Sequence, residues 1–423
     1  MAFFNTALSG LNAASTHLNV IGNNIANAST IGFKGSRAQF ADLFAMSNLG
    51  QSQGLLGAGV EVSGIRQDFA QGNLTFTANN FDMAITGSGF FRLDDGGEIL
   101  YTRSGSFGLD RDGYVVNGQG QRLTGYSADA SGVISGGIGP LQLDTSDIAP
   151  QASSQLAIGV NVDATETEPA TAFDIADASS YNHSTSLTAY DSLGNSVLVT
   201  TYYRKTANPN EWEVYTYATD PSDPDNPVEI IPAGGVAGDP MVMTFDADGG
   251  ISSVSPNNGS ALVGDYTAVT LGTGADPLEL DIDFGNSTQY GTAFTVNTLS
   301  QDGYTTGRMS TVVISAEGVM TVRYTNGQTR TAAQIALADF NNPQGLQQLG
   351  NNTWGESYDS GAPLVGTPGT GTLGAIYSGA LENSNVDLTA QLVNMIEAQR
   401  NFQANAQVIS TADSLTQTLI NLR

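Results

Sequence analysis

The sequence predicts an α+β chain that is mainly β: a terminal α-helical coiled-coil domain plus two nested all-β domains, the outer one inserted into the inner one. Three observations carry that prediction. Apolar residues recur at alternating spacings of four and three at both ends of the chain. Between the ends, short runs alternate apolar and polar residues, the period of a half-buried strand. Those runs are punctuated by Gly, Asp and Asn, and Gly alone accounts for 50 of the 423 residues. The length calls for two or three domains, because one domain usually holds roughly 100–200 residues.

The first helix is predicted over residues 4–28. Ala7, Leu11, Ala14, Leu18, Ile21, Ile25 and Ala28 form the a/d stripe of a coiled coil, and Asn5, Asn12 and Asn19 form a second stripe seven residues apart. No Asp, Glu, Lys or Arg precedes Lys34, although the chain carries a formal net charge of −27. A helix with a solvated outer face ordinarily has charge there. Asn, Ser and Thr in that place fit a face pressed against neighbouring chains or lining a narrow water-filled space.

A Gly-rich link is expected over 50–64, and the β pattern follows it in LTFTA, MAITGSGFFRLDD, ILYTRSGSFGLDRDG and YVVNGQGQRLTGY. A second β block, 147–285, contains SLTAYDSLGNSVLVTTYYRKTANPNEWEVYTYATD, three strands joined at Leu193-Gly194-Asn195 and at Asn208-Pro209-Asn210. The proline-rich loop DPSDPDNPVEIIP and the hairpin MVMTFDADGGISSV come next. A third block, 286–375, returns to hairpins such as MSTVVISAEGVMTVRYTNGQTR and completes the first β domain.

The last helix starts near Asn385 or Asp387, either of which suits an N-cap, and meets no Pro or Gly up to Arg423. Leu388, Leu392, Met395, Phe402, Ala406 and Ile409 mark its stripe, which then shifts phase through Ala412, Leu415, Leu419 and Leu422. Two low-charge helices at opposite ends of the chain are expected to pair. Two helices alone leave apolar surface uncovered, and assembly of many copies would cover it.

Composition removes several function classes. With 14 basic against 41 acidic residues, no nucleic-acid partner is expected, since phosphates are bound by clustered Lys and Arg. The absence of cysteine removes disulfides and thiolate chemistry. No cleavable signal peptide is visible, and no stretch reaches the ~18 apolar residues of a membrane span, so no membrane insertion is expected. His17 and His183 are far apart in sequence and lack flanking partners. The Asp-x-Asp-Gly runs at Asp110 and Asp246 lack the further ligands of a calcium loop and suit hairpin turns. Gly87-Ser88-Gly89 lacks the lysine of a phosphate loop and suits a strand bend. No catalytic residue, cofactor or metal is expected.

The segment ALSGLNAASTHLNVIGNNIANASTIGFKGSRAQFADLF resembles the signature of the bacterial flagellar rod and hook family of axial proteins. Its hallmark is Asn23-Asn24-Ile25-Ala26-Asn27 followed by Gly32-Phe33-Lys34. FDMAITGSGFFRL resembles the family's next block, and SGALENSNVDLTAQLVNMIEAQRNFQANAQVIST its C-terminal one. Together these cover about the first 125 and last 140 residues. Rod members lack a large inserted middle. QYGTAFTVNTLSQDGYTTGRM, LADFNNPQGLQQLGNNTW and the block 147–285 place the chain nearer the hook branch.

That resemblance implies a terminal helical domain at 1–29 and 386–423 and a connecting segment at 30–70 and 376–385. It implies an inner β domain at 71–146 and 286–375, with an outer one at 147–285. It implies a non-enzymatic homopolymer, a curved, flexible, hollow tube that serves as a universal joint and transmits torque from motor rod to filament. Implied partners are rod, hook cap and hook–filament junction proteins and the flagellar type III export apparatus. The implied location is extracellular, on the flagellum, without signal cleavage. In such a tube Leu11, Leu18 and Ile25 would pack against Met395, Phe402 and Ile409 and against other copies. The alternatives are a distal rod protein, which would form a straight rigid polymer, and a secreted β-rich adhesin or glycan-acting protein, which would stay monomeric.

Overall fold

Two helices bracket the fold. In the computed structural model, which describes residues 2–43, 57, 59–129, 131–220, 223–272 and 274–421 (backbone alone for 2, 3, 136 and 419–421), α1 spans Ala2–Ala26 and α2 spans Leu388–Asn421. Nothing within α2 breaks a helix, so it runs for 34 residues. Asp387 sets its start: Oδ1 accepts the N–H groups of Thr389 at 2.8 Å and Ala390 at 3.2 Å, which would otherwise have no partner in the helix. At the end of α1 the Asn23 carbonyl accepts both the Asn27 N–H at 3.1 Å and Asn27 Nδ2 at 2.9 Å.

After α1 the chain forms an antiparallel hairpin of β1 (Ser36–Leu43) and β2 (Gly59–Gln67), with a register shift at Gln39/Phe40. The expected Gly-rich link 50–64 is therefore a strand over its last residues. Val60 and Val62 pair with Asp42 and Phe40, and in-register partners override the low strand preference of the intervening glycines. Residues 50–56 and 58 of that link lie outside the described residues.

The chain divides into two compact units. Unit 1 is Met1–Thr145, Thr311–Arg323 and Thr329–Arg423; unit 2 is Ser146–Ser310 and Tyr324–Gln328. In unit 1 the larger sheet runs Thr329–Ile335, Arg122–Ala128, Phe90–Asp95, Glu98–Thr102, Thr353–Gly355, Gln347–Gly350. Two of those pairings, Thr329–Ile335 with Arg122–Ala128 and Glu98–Thr102 with Thr353–Gly355, join strands from before and after the insertion, as a domain closed around it requires. Phe90, Tyr101, Phe340 and Trp354 bury an edge-to-face cluster on it, and Phe69 packs against that cluster. Trp354 Nε1 donates to Gln67 Oε1 at 2.7 Å, which ties the end of β2 to the cluster.

Unit 2 stacks two sheets over one apolar core. The first contains the three expected strands as His183–Tyr190, Ser196–Lys205 and Glu211–Asp220, then the hairpin Met241–Phe245 and Ile251–Ser255. Where a proline-rich loop is expected, Asp223–Ile230 pairs as a further strand beside Glu211–Asp220. The second is built around Gln155–Asp163, which pairs with Asp281–Asp283, Thr288–Tyr290 and Thr295–Gln301. Residues 286–310, read from sequence as part of the inner domain, thus pack in unit 2. Their alternation is the same on either sheet, so periodicity alone does not choose between them. Trp212, Tyr203 and Phe284 are fully buried between the layers.

Candidate assembly interface

The uncharged run that opens the chain ends at Lys34, and the structure shows what that first charge does. Its side chain is wholly buried. Nζ donates to Glu382 Oε1 at 2.6 Å and to the Ala70 carbonyl at 2.8 Å. The same Glu382 oxygen accepts the Gly72 N–H at 2.8 Å, and Oε2 accepts from Arg103 Nη1 at 3.3 Å. Arg103 Nη2 in turn donates to the Gly87 carbonyl at 2.7 Å, at the strand bend of Gly87-Ser88-Gly89. Burial pushes the Lys34 ammonium below its ordinary value, while Glu382 pulls it back up. Taking Glu382 away would leave both buried cations without a counter-ion, which costs about 3–5 kcal/mol.

This cluster joins the roots of both helices to the β scaffold, since Lys34 follows α1 and Glu382 precedes α2. Two amides complete the joint. Buried Asn24 accepts the Ser36 N–H at 2.8 Å, donates to the Ser36 carbonyl at 2.7 Å and reaches Gln391 Oε1 on α2 at 3.4 Å. Asn385 accepts the Gly35 N–H at 2.8 Å and donates to the Asp68 carbonyl at 2.7 Å, so it fastens the segment while Asp387 does the capping. Gly32 sits at φ 70°, where a Cβ would lie 2.5 Å from the Ser104 nitrogen, so a side chain is excluded twice over. Phe33 is half-buried beside Asn23 and Trp354; Asn23 and Ala26 are exposed.

Above the joint α1 lies against α2 on one side and against the β1–β2 hairpin on the other. Ser9 Oγ accepts the Val60 N–H at 3.2 Å, and His17 meets Phe40 edge-on at 5.8 Å. Toward α2, Gly10 permits close approach, since a Cβ there would lie 2.8 Å from Asn405 Oδ1. Of the α1 stripe, Ala7, Ala14 and Ile21 are buried, while Leu11, Leu18 and Ile25 are half-buried.

In α2 the residues turned toward α1 include Gln391, Ala398 (1% exposed) and Asn405, with Met395, Phe402 and Ile409 half-buried. Leu388, Leu392 and Leu415 of the sequence stripe are instead exposed, at 47, 51 and 62%, together with Val393 and Ile396. The Leu419 side chain lies outside the described residues. Against α1 the helix α2 uses amides and alanine, and Leu388, Leu392 and Leu415 stay uncovered in the single chain. The lone chain thus presents an outward apolar helix face. Contiguous apolar surface of that kind marks a site of association.

Sequence alone did not name Glu382, Arg103, Gln391 or Ala398, and it offered Asn385 only as a cap. One signal was available: a first charge after 33 uncharged or weakly basic residues needs a counter-ion. With 41 acids in the chain, however, nothing local selects Glu382. The remaining candidates have packing roles. Asp110 and Asp246 each close a hairpin turn, their Oδ1 atoms accepting backbone N–H groups two and four residues on. His183 stacks on Phe294 at 4.4 Å.

Family models match in four places. They are the flagella basal body rod protein over residues 4–34, the flagellar hook protein FlgE/F/G D1 domain over 84–168, the flagellar basal body protein FlaE D2 domain over 161–304, and the flagellar basal body rod FlgEFG protein C-terminal over 377–422. The flagellar hook protein FlgE of Escherichia coli is 40% identical over 99% of this chain and 100% of its own length, and that of Salmonella typhimurium matches equally. The Rhizobium meliloti hook protein is 32% identical over 99% of this chain and 98% of its own. An uncharged helical signature locked to a β scaffold, with likeness running from end to end, means that the chain belongs to the flagellar hook protein FlgE family, the structural subunits of the polymeric flagellar hook.

Proposed function

We propose that copies of this chain pack through their terminal helices into a curved, flexible, hollow tube, and that the tube transmits torque from rod to filament as a universal joint. The observation that carries this reading is the outward face of α2, where Leu388, Leu392, Val393, Ile396 and Leu415 stand exposed in a single copy. Ala7, Leu11, Ala14, Leu18, Ile21, Ile25, Met395, Phe402 and Ile409 bind the two helices together, and Leu388, Leu392, Leu415 and Leu419 meet other copies. Residues 23–27 and 32–34 hold the pair at a fixed angle to the β scaffold.

In this reading the helical domain is 1–29 and 386–423, the connecting segment 30–70 and 376–385, the inner β domain 71–145, 311–323 and 329–375, and the outer one 146–310 with 324–328, boundaries between the β domains that the two compact units favour. The subunit performs no catalysis. It is exported through the flagellar type III apparatus without cleavage, lies outside the cell, and meets rod, hook cap and hook–filament junction proteins at the ends of the tube. Its helices gain their final order on assembly, since an isolated helix is marginal in water.

Removing residues 388–423 tests the reading. The truncated chain should keep the cooperative melting of unit 2 and form no polymer by sedimentation or electron microscopy. Tubes assembled from it would refute the proposal, and a straight rigid polymer from the full chain would favour a rod role.

A further inference from the structure

The helices avoid charge except at three residues of α2: Glu397, Arg400 and, farther along, Asp413. Between Leu388 and Ala412, α2 carries a single acid and a single base, Glu397 and Arg400, whereas α1 has neither. Residues three apart on a helix share a face. Both are exposed, among the apolar residues Val393, Ile396 and Val408 and away from buried Ala398. Among the described residues neither forms an ion pair, with the other or with any third group. Glu397 also borders a groove of about 700 Å³ beside α2, whose rim holds Asp68 and Asp387 against the lone Arg37. The rim is net acidic, and Arg400 does not line it.

We propose that Arg400 of one copy pairs with Glu397 of the next, at the acidic rim of that groove. This rests on the reading that copies pack through their terminal helices. Packing excludes water from the face, and an ion left there without a counter-charge is strongly destabilising. A polymer of one chain supplies both signs in equal number on the same face, so the nearest stoichiometric counter-ion is the neighbour's. Parallel α2 helices would meet this way when displaced by about 4.5 Å along their axes, three residues at ~1.5 Å each. The pair would then set the stagger between adjacent copies, which sliding leucines cannot do.

The test uses full-length chains. E397R and R400E alone should each raise the critical concentration for polymerisation by about tenfold or more, because like charges then face one another. Both residues are exposed, so helicity and melting of the unassembled chain should stay unchanged. An equimolar mixture of the two variants should recover assembly, each copy offering what its neighbour lacks. A mixture that stays unassembled while the E397R/R400E double variant recovers would overturn the proposal and assign the pairing to one chain. If E397R and R400E polymerise normally while Leu392→Asp does not, the pair is refuted and the helix-packing reading stands.

Discussion

Unit 2 and the terminal helices bury their large side chains on different terms. In unit 2, Trp212, Tyr203 and Phe284 have no exposed surface, and the two sheets cover each other without outside help. In α2, Ile396 is 52% exposed and Leu415 62%, and no other described segment covers them. The difference shows which part is a finished domain and which part is half of an interface. Fully burying an apolar side chain contributes about 1.5–3 kcal/mol, so unit 2 holds that stabilisation within one chain while the helices leave much of theirs to be gained. Uncharged amides on α1 belong to the same plan, since Asn and Thr tolerate either water or a packed neighbour better than an ion does.

The contrast is broken most forcefully at the joint between helices and scaffold. Glu382→Ala leaves Lys34 and Arg103 buried without their shared carboxylate, at about 3–5 kcal/mol. Calorimetry should show the unit 1 transition falling by many degrees while that of unit 2 stays in place. A loss below about 1 kcal/mol would mean that water or the Ala70 and Gly87 carbonyls suffice for both cations. Gly32→Ala strikes the same joint less severely. Its left-handed backbone and its approach to Ser104 put the loss near 1–3 kcal/mol, again confined to unit 1 in thermal or urea unfolding.

How much of this was legible in sequence follows the same division. Of the α1 heptad positions, Ala7, Ala14 and Ile21 are buried within the chain and Leu11, Leu18 and Ile25 half-buried, while Ala13 and Val20 are buried off the stripe. Strand alternation and the Asn-Pro-Asn turn located three strands and the following hairpin of unit 2's first sheet, whereas the prolines of Asp223–Ile230 hid a further edge strand. What sequence withheld were choices among equivalent partners. The inward face of α2 is marked by Gln391, Ala398 and Asn405, which no hydrophobic pattern ranks above Leu388 or Leu392. The sheet that receives Thr295–Gln301 is decided by long-range pairing with Gln155–Asp163, and alternation has no access to that. Glu382 lies 348 residues from Lys34 and 279 from Arg103, and only folding brings them together.

A smaller effect separates the two regions by pH. His183 of unit 2 stacks on Phe294, and burial pushes its imidazole below the ordinary value of 6.5, with the nearby carboxylates of Glu166 and Asp163 opposing the shift. Above pH 6.5 neither the folded nor the unfolded chain binds this proton. As the pH falls through that value the unfolded chain takes it up first, so stability declines until the folded imidazole titrates too. Unit 2 should therefore melt at a lower temperature at pH 5.5 than at pH 7.5, and His183→Gln should flatten that part of the profile. An unchanged slope in the variant would place the acid sensitivity elsewhere.

The least effect on the lone chain is the most informative. Leu392 is 51% exposed in a single copy and caps nothing, so Leu392→Asp has little to remove. Exposed substitutions away from caps and cores usually shift stability within about ±0.5 kcal/mol, and the unassembled chain should melt as before. In a polymer the same aspartate would be pressed into a neighbour's apolar surface without a cation, at several kcal/mol for each contact. Repeated at every subunit, that penalty should leave no tube by electron microscopy. A variant that melts normally and still assembles would show that this face never leaves water, and the contrast between finished core and open interface would then have to be drawn along α1 instead.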